Sequence, residues 1–259
     1  MFALAESGVL PVTQALSALS AYKQENEYHV WSIVSAGISQ IGNLLFHTPH
    51  YEAYRTFARG MFADISRKIG WEKHFGERHT DTMLRTLALV SVGAYGDKDT
   101  IRIARERFSG AKGIDPDLRD TVYGLVAKYG DEKDHAMFAR MYKAADMQQE
   151  KNRASDALES FRDEKLLAKT LAFALTSAVR SQDAPFIIAG VGVNPYGREL
   201  MWKFLQKNWK LIMKRYGSGG HLLGRFIHPL GGFTDRARAK EIKAFFKTHK
   251  APGTERTIA

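Results

Sequence analysis

Apolar side chains recur at three- and four-residue steps through most of this chain, the spacing that places them on one face of an α-helix. The densest stripe joins Met201, Phe204, Leu205, Trp209, Ile212, Met213 and Tyr216. Another joins Trp31, Val34, Ile38, Ile41 and Leu45 and predicts a helix over 27–46. Ahead of it, Pro11 suits the first turn of a helix carrying Ala15, Leu16, Leu19 and Tyr22. Thr48-Pro49 restarts the chain as an N-cap followed by a first-turn proline. Tyr54, Phe57, Ala58, Met61, Phe62 and Ile65 line the helix that follows, and Gly70 ends it.

Similar patterns predict helices over 78–95, 97–109, 116–129, 131–146, 149–162, 164–179, 195–216 and 234–248. Asp97, Asp115 and Asp131 sit where N-caps are needed. Only Phe186–Val193 has strand character, and Gly190 and Gly192 interrupt it, so its type stays open. Helices joined by short loops make antiparallel neighbours. Between 78 and 180 they pair into hairpins of about 33–38 residues, the spacing of an α-solenoid. The expected fold is therefore all-α: one domain over 1–259, an α-α superhelix of stacked antiparallel helix pairs of the HEAT or armadillo kind. The repeat is geometric, because no sequence motif recurs.

Composition changes this picture little. A 44% hydrophobic and 25% charged chain of 259 residues is ordinary for a globular protein. No apolar run reaches the roughly 20 residues that cross a bilayer. Residues Met1–Gly8 carry no basic segment and meet Glu6 early, which reads poorly as a signal peptide; the compartment is unknown. The absence of cysteine excludes disulfides, thiolate metal sites and a cysteine nucleophile. The net charge of +10 is spread along the chain and interleaved with acids, as Arg102, Arg105 and Arg107 are with Asp97, Asp99 and Glu106. That is the pattern of solvated helix faces. An anion-attracting concave surface is the alternative; a nucleic-acid partner is not expected, since no recognition motif accompanies the charge.

Candidate chemistry is sparse. His47 and His50 are separated by a proline, and His74 and His79 fall on different faces of any helix, so neither pair makes a metal site. Gly217-Ser218-Gly219-Gly220 lacks the lysine of a phosphate-binding loop and reads as a helix-ending turn. The acidic pairs Asp97/Asp99, Asp115/Asp117 and Asp131/Glu132 lie at helix starts, where they complement the helix dipole.

Several segments nevertheless form an ordered set. Phe2–Gly8 reads F-A-L-A-x-x-G, and Glu25, Tyr28 and Trp31 read E-x-x-Y-x-x-W. Gly70-Trp71 is followed by Ile114–Tyr123 as I-x-P-x-L-R-x-x-V-Y. Then come Glu164–Leu167 (for D-x-x-L-L), Arg180–Asp183 (R-x-Q-D) and Gly197–Trp209 (G-R-x-L-x-W-x-F-x-x-x-N-W). Leu223-Gly224-Arg225, Phe233-Thr234 and Glu241–Phe246 (E-x-x-x-F-F) complete the set. In order and spacing they resemble the C-terminal helical domain of the M1 family zinc aminopeptidases.

That resemblance implies a bowl of stacked helix pairs that packs on the catalytic domain of the same polypeptide and encloses the cavity holding the peptide substrate. It assigns zinc to the absent catalytic domain, because this chain has neither H-E-x-x-H nor G-x-M-E-N. It also implies that the last helix or helices lie beyond this sequence. Arg119, Tyr123, Trp202, Phe204, Asn208 and Trp209 fall in the motifs as structural residues. Arg225 is the candidate for a cavity-facing contact to a substrate carboxylate, because a guanidinium suits bidentate recognition; the alternative is a solvated structural arginine. A free-standing α-solenoid adaptor that binds a protein or peptide is the competing function.

Overall fold

A computed structural model describes residues 2–110, 113–218 and 220–258. Among the described residues every regular element is helical. The helices are α1 (Phe2–Glu6), α2 (Val12–Ala18), α3 (Tyr28–Leu45), α4 (Tyr51–Ile69), α5 (His79–Ala94) and α6 (Lys98–Ser109). They continue as α7 (Arg119–Lys128), α8 (Glu132–Ala144), α9 (Gln148–Glu159), α10 (Glu164–Ala174) and α11 (Ala184–Val193). The last are α12 (Arg198–Tyr216), α13 (Gly220–Ile227), α14 (Arg236–Thr248) and α15 (Glu255–Ile258). The contacts divide the chain into two compact units, Met1–Leu125 and Val126–Ala259.

In the N-terminal unit α3, α4 and α5 pack on one another around Trp31, Ile38, Tyr54, Phe62 and Leu84. The two large polar aromatics keep their polar atoms satisfied. Trp31 Nε1 donates to the Glu25 carbonyl at 3.0 Å, and the Tyr54 hydroxyl donates to the Ile38 carbonyl. Helix α4 ends on Gly70, whose φ of +61° is a backbone state that L side chains rarely adopt. The expected cap at Thr48 is corrected: the residue before α4 is His50, and the Thr48 hydroxyl donates back to the Leu45 carbonyl at 2.7 Å. Arg119 sits where the 3-10 turn Pro116–Leu118 passes into α7, and Tyr123 meets Phe108 edge-on with ring centroids 5.6 Å apart.

In the C-terminal unit α8 pairs with α9 and α10 with α11, while α9 also packs on α11. The HEAT or armadillo label remains a geometric expectation. Asp131 caps α8 by accepting from the backbone N–H groups of Lys133 (2.8 Å) and Asp134 (3.1 Å); Asp134 returns a bond from the Asp131 N–H. Replacing Asp131 with alanine is expected to cost about 1 kcal/mol by stranding those donors, measurable as a lower urea midpoint with an unchanged slope. The helix expected over 164–179 stops at Ala174. Phe186–Val193, whose type the sequence left open, is helical as part of α11.

Helix α12 buries Trp202, Leu205, Trp209 and Ile212. Phe245 and Phe246 of α14 meet both tryptophans, with centroids 5.2 Å apart for Trp202 and Phe245 and 5.5 Å for Trp209 and Phe246. Trp202 Nε1 donates to Glu241 Oε1 at 2.9 Å, and Arg238 bridges Glu241 to Glu199. Phe204, on the same helix, is half-buried. Asn208 serves the helix itself, donating from Nδ2 to the Phe204 carbonyl at 2.8 Å.

Candidate functional site

The C-terminal unit holds a recess of about 480 Å³ lined by both polar and apolar surface. Helix α9 supplies Gln148, Asn152, Ser155, Asp156 and Glu159 at three- and four-residue steps, so one helix face lines it. Helix α11 adds Phe186 and Ile187, α8 adds Tyr142, and the segment leading into α11 adds Arg180 and Asp183.

The rim is tied by one arginine. Arg180 donates to Asp183 through Nε (2.7 Å) and Nη2 (3.1 Å), and also to Gln148 Oε1 (2.6 Å). Gln148 passes a bond to Asn152 Oδ1 at 2.7 Å. Arg180 and Asp183 are the ends of the R-x-Q-D motif, so that motif builds the mouth of the recess.

Deeper in, the wall is less satisfied. The Glu159 side chain lies against bare backbone at Gly190, where an added Cβ would fall 1.6 Å from Glu159 Oε2. This close approach explains a glycine in the middle of α11, which the sequence pattern left without a reason. The Glu159 carboxyl makes no hydrogen bond or ion pair among the described residues. Burial, and then the like charge of Asp156, push it well above the ordinary carboxylate range. Tyr142 is buried, and its hydroxyl has no hydrogen-bond partner among the described residues. Burial and then Asp183 raise its phenol above the usual value, with Arg180 opposing.

Arg225 lies on α13 in the same unit. It is exposed, with its guanidinium carbon 4.7 Å from the centre of the Phe186 ring, a cation–π arrangement. Among the described residues it forms no ion pair. The structure therefore puts Arg225 next to a residue of the recess, a proximity that the Leu-Gly-Arg motif did not reveal. Glu159 and Tyr142 carried no sequence signal, since each occupies an ordinary helical position. Gly219 of the glycine-rich segment lies outside the described residues.

Among the described residues no three His, Cys, Asp or Glu side chains come together in a way that could hold a metal ion. No described helix is long and apolar enough to cross a membrane.

The sequence profile described as the ERAP1-like C-terminal domain matches residues 1–259. The chain belongs to that family. As an ERAP1-like C-terminal domain it is similar to aminopeptidase M1 of Arabidopsis thaliana, at 32% identity over 99% of this chain and 30% of that protein. It is also similar to the mitochondrial aminopeptidase 2 of Saccharomyces cerevisiae, at 27% identity over 99% of this chain and 28% of that protein. A third relative is the glutamyl aminopeptidase of Bitis rhinoceros, at 27% identity over 97% of this chain and 27% of that protein. The ERAP1-like domain thus spans under a third of the length of the curated relatives it matches, and the family match runs through both of its compact units.

Proposed function

We propose that this chain is the non-catalytic C-terminal domain of a zinc-dependent aminopeptidase, packed on the catalytic domain of the same polypeptide and enclosing part of the cavity that receives peptides. The observation that carries this reading is the family match over all 259 residues, to a domain that makes up about 30% of proteins named as aminopeptidases. The whole of 1–259 is read as one functional domain of that parent protein.

Arg225 is the residue assigned to the substrate. Its exposure, its lack of an ion pair among the described residues and its stacking on Phe186 leave the guanidinium edge available for a peptide carboxylate. The pure chain is expected to hydrolyse no aminoacyl substrate, whereas the full-length protein does so and stops on chelation. Chelator-sensitive turnover by the pure chain would overturn the reading. In the full-length protein Arg225→Ala should raise the KM for peptides by about tenfold, one charge-assisted contact, with the melting temperature unchanged. A parallel fall in stability would make Arg225 structural.

A further inference from the structure

The recess beneath Arg180 offers more hydrogen-bonding capacity than its own contacts use. The Tyr142 hydroxyl, on a residue 2% exposed, has no hydrogen-bond partner among the described residues. A buried polar group left unpaired costs on the order of 1–3 kcal/mol, which a ligand can recover. Three carboxyl groups line the space, from Asp156, Glu159 and Asp183. Arg180 is the one cationic side chain among the lining residues, and it is already bonded to Asp183 and Gln148. The local balance is therefore acidic, in a chain whose formal charge is +10. Phe186 and Ile187 provide an apolar strip beside these groups. The acids do not converge as a metal site among the described residues.

We propose that this recess binds an alkylammonium or alkylguanidinium group, the chemistry of lysine and arginine side chains and of free alkylamines. The Glu159 carboxylate pairs with the cation, the Tyr142 oxygen and the Asn152 amide oxygen accept its N–H groups, and Phe186 and Ile187 cover the methylene stem. The volume is in the range of small-ligand sites, roughly 300–1,000 Å³. Glu159 then has a reason to sit without a partner among the described residues, because its partner is the ligand. This inference does not depend on the aminopeptidase reading.

The test is calorimetric titration of the full-length protein with N-acetyl-lysine methylamide, against its norleucine counterpart, which has a similar stem and no charge. Saturable binding of the lysine compound, at least about tenfold tighter than the norleucine compound, is expected from one charge-assisted contact. Glu159→Gln should weaken it by about tenfold and Tyr142→Phe by about threefold to tenfold. Gly190→Ala, whose methyl displaces the Glu159 carboxyl, should weaken it as well. Tyr142→Phe and Gly190→Ala keep the test open if Glu159→Gln disturbs folding. Butylamine binding as tightly as the lysine compound would identify a free amine as the natural source, and tighter binding of a lysine peptide would identify a side chain. Equal affinity for the norleucine compound, an unchanged affinity in Glu159→Gln and Tyr142→Phe, or no saturable binding at about 10 mM would overturn the proposal.

Discussion

Replacing Arg85 with alanine is expected to destabilise the N-terminal unit by about 3–5 kcal/mol, the cost of removing one partner from a buried ion pair. Arg85 is 1% exposed. Its Nη1 and Nη2 hold the Glu77 carboxylate as a two-pronged pair, with Nη2 at 2.6 Å. The same guanidinium donates to the Gly70 carbonyl at 3.2 Å and the Ile69 carbonyl at 3.3 Å. One side chain thus ties the end of α4 and the loop beyond it to α5. Without it two carbonyls lose this donor, and the Glu77 carboxylate is left with the His74 N–H and the Thr82 hydroxyl but no counter-charge. Hydrogen exchange of the α4 and α5 amides would measure the loss. Replacing both partners, Arg85→Met with Glu77→Leu, should cost less than Arg85→Ala alone, because no charge is then stranded.

The same pair sets an acid limit. Hydrogen bonds from Arg85, above all, lower the Glu77 carboxyl from 4.5 to about 2. A carboxylate depressed in the folded state contributes stability that is complete above its unfolded value and is lost as the proton binds. The N-terminal unit should therefore weaken as the pH falls from 4.5 toward about 2, and Glu77→Gln should remove that part of the slope.

Trp202→Ala is expected to cost about 3–5 kcal/mol in the C-terminal unit, as a large buried aromatic becomes a cavity. Trp202 is fully buried against Phe245, and its indole N–H is a donor to Glu241. Trp202→Phe keeps much of the volume but drops the donor, so its smaller cost isolates the hydrogen bond. Phe204→Ala, on the half-buried side of the same helix, should cost well under half as much as Trp202→Ala. Urea unfolding followed by circular dichroism would rank the three. A Phe204 effect equal to that of Trp202 would mean that α12 presents a different face to the core.

These contrasts show where the sequence was legible. Periodic apolar positions located α3, α4 and α12, because burial of one helix face leaves its mark at every turn. Asp97, Asp115 and Asp131 were readable as caps, and each accepts from backbone N–H groups in the first turn. Helix α11 was ambiguous because Ile187, Ile188 and Val191 favour strands and two glycines weaken a helix. Tertiary contact resolved it: the helix is buried on α9, α10, α12 and α13, and Gly190 makes room for Glu159. Phe204 of the same stripe is half-buried, while Leu205 and Trp209 are buried.

The recess was illegible for a different reason. Its wall comes from α8, α9, α11 and the segment before α11, so no local window contains it. Arg180 and Asp183 were visible as a motif without a purpose. Tyr142 and Glu159 become informative only once the fold shows that one hydroxyl and one carboxyl lack partners among the described residues. Arg225 was visible as a motif residue, and the fold adds its neighbour Phe186.

The central claim is that these residues form the non-catalytic domain of a zinc aminopeptidase. The most direct measurement is the reading frame of the native transcript upstream of residue 1. The account predicts an in-frame H-E-x-x-H followed by a later glutamate, the ligands and general base of a catalytic zinc. A stop codon directly upstream, with translation starting at Met1, would contradict it and favour a free-standing helical adaptor.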